Sequence, residues 1–330
     1  MILRGMIEVV VVTVAFMLAC FAEAANAQKA DAVFPVRPVR IVVGFGAGGL
    51  PDIYARMVAP NASESLQQQI VVDNRPSAGG VIATQIVADA NPDGYTLLSA
   101  SPSHVILPAT RSKLPYDPAK DFVGVTMTAT TTFLLVVAPA LGVKTVQEFI
   151  SLAKSRPGQL NYSSAGIASG THFAGEMFKQ YAAIDIVHVP YKGIPEGLMD
   201  VVTGRIQFTV SSVASSVTLV RDGRLRPLAV TSLKRLRLYP DVPTMVESGM
   251  PGFEWDSWSG LFAPAKTPRA VINKLNQAIT RALARPEVEQ RLRAVGSEPA
   301  PTTPEYLDKF VVRQLGVVAE LVKKAGIPRE

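Results

Sequence analysis

The chain has 330 residues, with 33 lysines and arginines against 27 aspartates and glutamates, a net charge of +6 at pH 7 and one cysteine. Its basic residues are scattered rather than gathered with aromatics, which argues against nucleic-acid binding and leaves only a bias toward anionic partners. A single cysteine excludes an internal disulfide and a cysteine-built metal site, and the length suits two domains, each with its own core.

In chain order, the first residues read as an export signal. Arg4 precedes an almost wholly apolar run over residues 9–21, and Ala25-Asn26-Ala27 offers the small-x-small pattern of signal-peptidase cleavage, so residues 1–27 are the predicted signal peptide and Gln28 the mature start. The run is shorter than the roughly 18 residues that a spanning helix needs. The mature protein is therefore expected to be soluble and periplasmic. Cys20 lies within the leader after Met17-Leu18-Ala19, a poor lipobox, so cleavage leaves no thiol nucleophile.

Beyond the leader, short β-branched runs alternate with amphipathic stretches. Ile41-Val42-Val43, Ile70-Val71-Val72, Tyr95-Thr96-Leu97-Leu98, Leu134-Leu135-Val136-Val137, Ile186-Val187-His188-Val189, Ile206-Gln207-Phe208-Thr209-Val210 and Leu228-Ala229-Val230 read as strands, with helices over residues 81–90, 146–154 and 172–180. This alternation predicts an α/β protein with mainly parallel sheets. Residues 270–284, 287–294 and 305–324 read as helices with little strand between them, the last keeping Leu307, Phe310, Val311, Val317, Val318, Leu321 and Val322 on one face. Residues 133–139 and 259–264 are the predicted passages between two lobes, and two such strands make a hinge. The resulting division is a first lobe of residues 28–134 and 259–330 and a second of residues 135–258.

Two loops have the chemistry to hold an anion. Gly44-Phe45-Gly46-Ala47-Gly48-Gly49-Leu50-Pro51-Asp52 joins a strand to a helix beginning near Pro51 or Asp52, and its glycines let backbone N–H groups approach a ligand at a helix N-terminus. Ser163-Ser164-Ala165-Gly166-Ile167-Ala168-Ser169-Gly170-Thr171 adds hydroxyls before a helix near His172. Ser169 or Thr171 is equally suited to capping that helix, and Asp52 to a first-turn acid. The first loop also satisfies G-x-G-x-x-G at Gly44, Gly46 and Gly49, with Asp73 ending the next strand, which keeps an NAD(P)-dependent oxidoreductase as an alternative. The export signal opposes it, as does Leu50-Pro51, expected to delay the helix. His104, His172 and His188 show no helical metal-pair spacing, and no G-x-S-x-G elbow occurs. No metal site and no catalytic set are expected.

At these residues the chain resembles the tripartite tricarboxylate transporter substrate-binding receptors, the Bug family. The resemblance rests on Pro38-Val39-Arg40-Ile41-Val42-Val43 with Ala47-Gly48-Gly49 and Asp52, on Asp73-Asn74-Arg75 with Ala78-Gly79-Gly80, and on Pro92-Asp93-Gly94-Tyr95-Thr96-Leu97. It continues through Tyr116-Asp117-Pro118, Val189-Pro190-Tyr191-Lys192-Gly193, Pro240-Asp241-Val242-Pro243-Thr244 and Ala263-Pro264 with Thr267-Pro268. It implies a periplasmic-binding-protein-like (type II) fold of two α/β lobes joined by two crossing strands, with a ligand cleft between them, no catalysis and no cofactor. It further implies a monomer that binds a small mono- or dicarboxylate and delivers it to membrane permease subunits; an orphan receptor feeding a sensor is the other receptor reading. The ligand residues it implies are Ala47, Gly48, Gly49 and Asp52 in one lobe and Ser164, Ala165, Ser169 and Thr171 in the other. Ser101, Ser103, Pro190, Tyr191, Lys192 and Ser211 follow on the rim. Leu50-Pro51, Ser77 and Ala168 stand where the family has smaller residues, which points to a bulkier or more apolar carboxylate, such as an aromatic one.

Overall fold

The computed structural model describes residues 34–324 and residue 329. The signal peptide, its cleavage site and Cys20 lie outside the described residues. The first β-branched run forms β1 (Val39–Val43), nearly all of it buried, as befits a strand covered on both faces. It pairs in parallel with β2 (Ile70–Asn74) and β3 (Thr96–Ala100). Parallel neighbours need a crossover, here supplied by α1 (Leu50–Leu66) and α2 (Val81–Ala88).

After α3 (Ser103–Thr110) comes β4 (Phe122–Val137), a 16-residue strand that belongs to two sheets. Residues 122–132 pair antiparallel with β9 (Asp256–Pro264), which also pairs with β3. From Phe133 onward, β4 pairs instead with β7 (Phe208–Ser212) and β8 (Arg226–Val230). Beyond β7 lie β5 (Asn161–Ser164) and β6 (Val187–Pro190), in parallel. The helices of this second sheet are α4 (Val146–Ser155), α5 (Gly170–Ala182), α6 (Ile194–Val202) and α7 (Val213–Arg221). The chain then returns through β9. In the C-terminal part, α8 (Arg269–Leu283) packs on α1 and β4, α9 (Pro286–Ala294) leads to β10 (Ser297–Pro299) beside Ala129–Thr131 of β4, and α10 (Pro304–Lys324) packs on α3 and β4.

The two passages are cross-tied where they run between the sheets. Thr231 donates its N–H to Phe133 O at 3.0 Å and its hydroxyl to Trp255 O at 2.5 Å, while Thr132 Oγ1 donates to Asp256 Oδ1 at 2.5 Å. One apolar cluster runs through this crossing, joining Val42 and Leu98 of the first sheet to Phe133, Phe208 and Trp255.

Four sequence expectations change. The sheets are mixed rather than mainly parallel, because β4 and β9 run against their neighbours. The passage read as residues 133–139 starts inside β4, which ends at Val137 and already begins at Phe122, with a threonine-rich first part over Thr126 to Thr132, a residue type that favours strands. The passage read as residues 259–264 is a strand that already begins at Asp256, and β10 interrupts the C-terminal helices. Leu50-Pro51 does not delay α1: Gly49 is the N-cap and Pro51 sits in the first turn, where a missing N–H breaks no intrahelical bond.

Candidate ligand-binding cleft

The glycine loop is built by close backbone approach. A Cβ at Gly44 would lie 2.6 Å from Gly80 Cα, and Gly48 has φ of +80°, so neither position accepts a side chain without a shift. Asp52, 3% exposed, holds the loop from behind: Oδ2 accepts the Gly48 N–H at 3.0 Å, and Oδ1 accepts from Arg56 Nε at 2.8 Å and Asn74 Nδ2 at 2.9 Å. Its carboxylate is thus committed to the protein.

The serine loop is a hydroxyl network. Ser169 caps α5 by accepting the His172 N–H at 3.1 Å, its Oγ lies 2.9 Å from Thr171 Oγ1, and Thr171 Oγ1 accepts the Ala165 N–H at 2.8 Å. Ala168 adopts φ of +60°, a conformation disfavoured for an L-residue, at a position where the family resemblance has glycine.

Between the two sheets lies a small cleft, partly open to solvent, walled by residues from both sides. Five helices begin at its wall: α1 at Gly49-Leu50-Pro51, α3 at Ser101-Pro102, α5 at Ser169-Gly170-Thr171, α6 at Ile194 and α7 at Ser212 and Ser215. First-turn N–H groups lack intrahelical acceptors and carry partial positive charge, so their convergence favours an anion. None of the lining side chains is charged; the remainder of the wall is Phe45, Phe133, Ala165 and Ser257. Ser257 Oγ is buried there without a hydrogen-bond partner among the described residues.

Of the sequence-derived residues, Gly49, Ser101, Ala165, Ser169 and Thr171 line the cavity. Ala47, Gly48, Asp52, Ser103, Ser164, Pro190, Tyr191, Lys192 and Ser211 do not. Gly48 and its neighbours instead meet the other lobe: a Cβ at Gly48 would lie 3.2 Å from Pro195 Cγ, and one at Gly46 would lie 3.6 Å from Lys192 O. The Lys192 side chain is exposed, and the Tyr191 hydroxyl turns away to donate to Asp200 Oδ2 at 2.6 Å. Ser164 Oγ is taken by Gly166 and by His188 Nε2, and Ser103 Oγ lies 3.2 Å from Ser101 Oγ. Ser211 sits one residue too early in β7; alternation along the strand gives the wall position to Ser212. Ser212 and Ser215 sit at a third strand-to-helix junction, between β7 and α7. Phe133 and Ser257 come from the crossing strands and carry no local signal.

The other readings narrow. Asp73, the carboxylate required by the dinucleotide alternative, is held by Arg40 and Arg75 and lies below its ordinary range; burial opposes that shift, and hydrogen bonds from the two arginines outweigh it. The histidines are not all isolated as their spacing suggested: His172 and His188 stack at 4.2 Å. Among the described residues no group of three or more histidine, cysteine or acidic side chains is placed to hold a metal, and no helix is long and apolar enough to cross a membrane.

A sequence-family model described as the tripartite tricarboxylate transporter family receptor matches residues 54–327. The chain belongs to this receptor family. Among the family's curated members, a UPF0065 protein from the tcbD-tcbE intergenic region of Pseudomonas sp. (strain P51) is 39% identical over 88% of this chain and 86% of its own length. Protein BugT of Bordetella pertussis is 33% identical over 89% and 90%. Among solved structures of the receptor fold, R. palustris Rpa4515 with adipate superposes with a TM-score of 0.87 at 35% identity, covering 90% of this chain and all of that one. MatC (Rpa3494) from Rhodopseudomonas palustris with bound malate gives 0.84 at 33% identity, covering 88% of this chain and all of that one. The fold is therefore the two-lobed type II solute-binding fold of these receptors, with the cavity at the junction of its lobes.

Proposed function

We propose that the protein is an exported periplasmic receptor that captures a small organic carboxylate between its lobes and delivers it to the membrane subunits of a tripartite transporter. The observation that carries this reading is the uncharged cavity at which five helix N-termini converge with hydroxyls from both lobes. A carboxylate there exchanges hydration for amides and hydroxyls, and each charge-assisted bond contributes roughly 1.5–3 kcal/mol. Closure is favoured only when both lobes engage the ligand. Adipate and malate in the two solved relatives support the ligand class. The apolar contributions of Phe45, Leu50, Pro51, Phe133 and Ile194 suit a carboxylate with an apolar body. We also infer that the lobes are residues 28–134 with 259–330, and 135–258; the change of β4 partner after Thr132 and the start of β9 at Asp256 support cuts close to these.

The test is a thermal-shift screen of the mature protein against mono- and dicarboxylates, amino acids and neutral sugars. A carboxylate at about a hundred times its Kd is expected to raise Tm by about 5 °C. Stabilisation by sugars alone would sink the reading. A second prediction concerns closure. Gly48→Ala and Gly142→Ala each place a side chain on a left-handed backbone, but nothing lies within 4 Å of the Cβ at Gly142. Both variants are expected to lose about 1 kcal/mol of stability, and only Gly48→Ala to lose affinity, roughly tenfold, as measured by calorimetric titration with the best ligand of the screen. Equal affinities would remove the Gly48–Pro195 contact from the closing surface.

A further inference from the structure

Behind the serine loop, on the side away from the cavity, lie two imidazoles that the binding account leaves unused. Ala168 donates its N–H to His172 Nδ1 at 3.1 Å, so that nitrogen is unprotonated and the ring is neutral in this arrangement. The His172 backbone N–H is in turn the one capped by Ser169 Oγ. The ring of His172 stacks on that of His188, 4.2 Å away at 26°, and His188 stacks on Tyr162 at 4.8 Å. His188 Nε2 lies 2.6 Å from Ser164 Oγ, which also accepts the Gly166 N–H at 3.0 Å. The histidine pair therefore grips the loop at both ends, Ser164 and Ala168, and one of those ends is the residue with φ of +60°. A backbone held against its preference needs tethers, and the Ala168–His172 hydrogen bond is one that a proton abolishes.

We propose that His172 is a positioning residue for the serine loop, and that protonation of its Nδ1 releases Ala168 and loosens the ligand site. Protonated Nδ1 is a donor and cannot accept the Ala168 N–H. The new charge also falls in the first turn of α5, where the helix dipole opposes a cation, and against the face of a second imidazole. The charged and titratable groups set around the pair are Glu176 and Lys179 of α5, one or two turns on, and Tyr162 of β5. Glu176 is engaged by the Tyr162 hydroxyl at 2.6 Å, and Lys179 opposes a proton on His188. The direction is fixed by the hydrogen bond itself: the loop is ordered when His172 is neutral and released as pH falls. A receptor built this way holds its ligand at neutral pH and gives it up in a more acidic layer. The consequence for binding rests on the proposed anion site, whereas the loop transition does not.

The experiment measures the amide-exchange protection factor of Ala168 in the ligand-free protein from pH 7.5 to 5.5, corrected for intrinsic exchange, in wild type, His172→Asn and His172→Phe. Asparagine offers an Oδ1 close to the position of Nδ1 but does not titrate; phenylalanine keeps the ring and loses the acceptor. Wild type is expected to lose protection roughly tenfold on acidification, His172→Asn to stay level, and His172→Phe to be low at every pH. Adipate titrations over the same range are expected to follow the same order, with His172→Asn reporting any titration of adipate itself. Parallel loss in wild type and His172→Asn overturns the proposal, as does full protection in His172→Phe. If adipate fails to bind any variant, the exchange data still decide the loop, and the failure falls on the carboxylate reading.

Discussion

Asp52→Ala is expected to lower stability by about 2–4 kcal/mol and to weaken ligand binding by more than tenfold. The carboxylate is buried and accepts from Gly48 N–H, Asn74 Nδ2 and Arg56 Nε, so its removal strands two donors in a place water reaches poorly. Arg56 adds little to the loss, since its side chain is half exposed and readily solvated. The first-turn acid of α1 is also lost, which removes a favourable interaction with the helix dipole. Binding suffers because Gly48 is the turn that sets how the glycine loop meets Pro195 across the cleft. Asp52→Asn supplies one oxygen where two are used, and is expected to fall between wild type and Asp52→Ala in both measurements. Chemical denaturation and calorimetric titration read the two effects separately. An Asp52→Ala protein of wild-type affinity would show that the loop needs no support from behind.

The part of this site that could be read from sequence is the part encoded locally. Glycines after Val43 and hydroxyls after Ser163 stand out because each group lies between a β-branched run and an amphipathic one, and such a junction presents helix N–H groups. Ser212 and Ser215 sit at a third junction but lack glycine, so their stretch reads as an ordinary serine-rich turn. The wall residues Phe133 and Ser257 depend on where β4 and β9 cross, and that is set by pairing between strands more than a hundred residues apart. The same holds for the histidine pair: parallel pairing of β5 with β6 sets His188 opposite Tyr162, and α5 brings His172 back over it. On the rim, proximity and orientation parted. The backbone at Lys192 does meet Gly46, but the Tyr191 side chain is drawn off by Asp200 and that of Lys192 faces solvent. The partly parallel sheet with α crossovers was legible, as were parts of the two joining strands; their antiparallel pairing was not, because it links segments more than a hundred residues apart.

Acidification from pH 7 to pH 4 is expected to remove about 3 kcal/mol of stability through His104 alone. This imidazole, 2% exposed, is wedged between Phe122 and Phe262 with ring centres 5.1 Å from each, and burial pushes it from 6.5 down to about 4. The unfolded chain takes up the proton near pH 6.5 and the folded chain only near 4, so the stabilisation is whole above about 6.5 and declines as pH falls through that window. His188 acts in the same direction, lowered to about 3 by burial first and then by the charges of His172 and Lys179, but it is partly open to solvent and contributes less. Asp256 and Asp308, both raised by burial, act in the opposite direction: they hold protons in the folded state that the unfolded chain has lost, so acid relieves them. The net acid limb is therefore a difference between histidines and buried carboxylates, and only a substitution isolates the first. His104→Phe keeps an aromatic between Phe122 and Phe262 and removes the titration. Urea midpoints measured between pH 7.5 and 4.5 are expected to fall steeply in wild type and much less in His104→Phe, with the curves diverging below about pH 6.5. Parallel curves would assign the acid limb to other groups. The site has a stake in the result, because His104 lies in the first turn of α3, directly after Ser101 and Pro102 of the cavity wall.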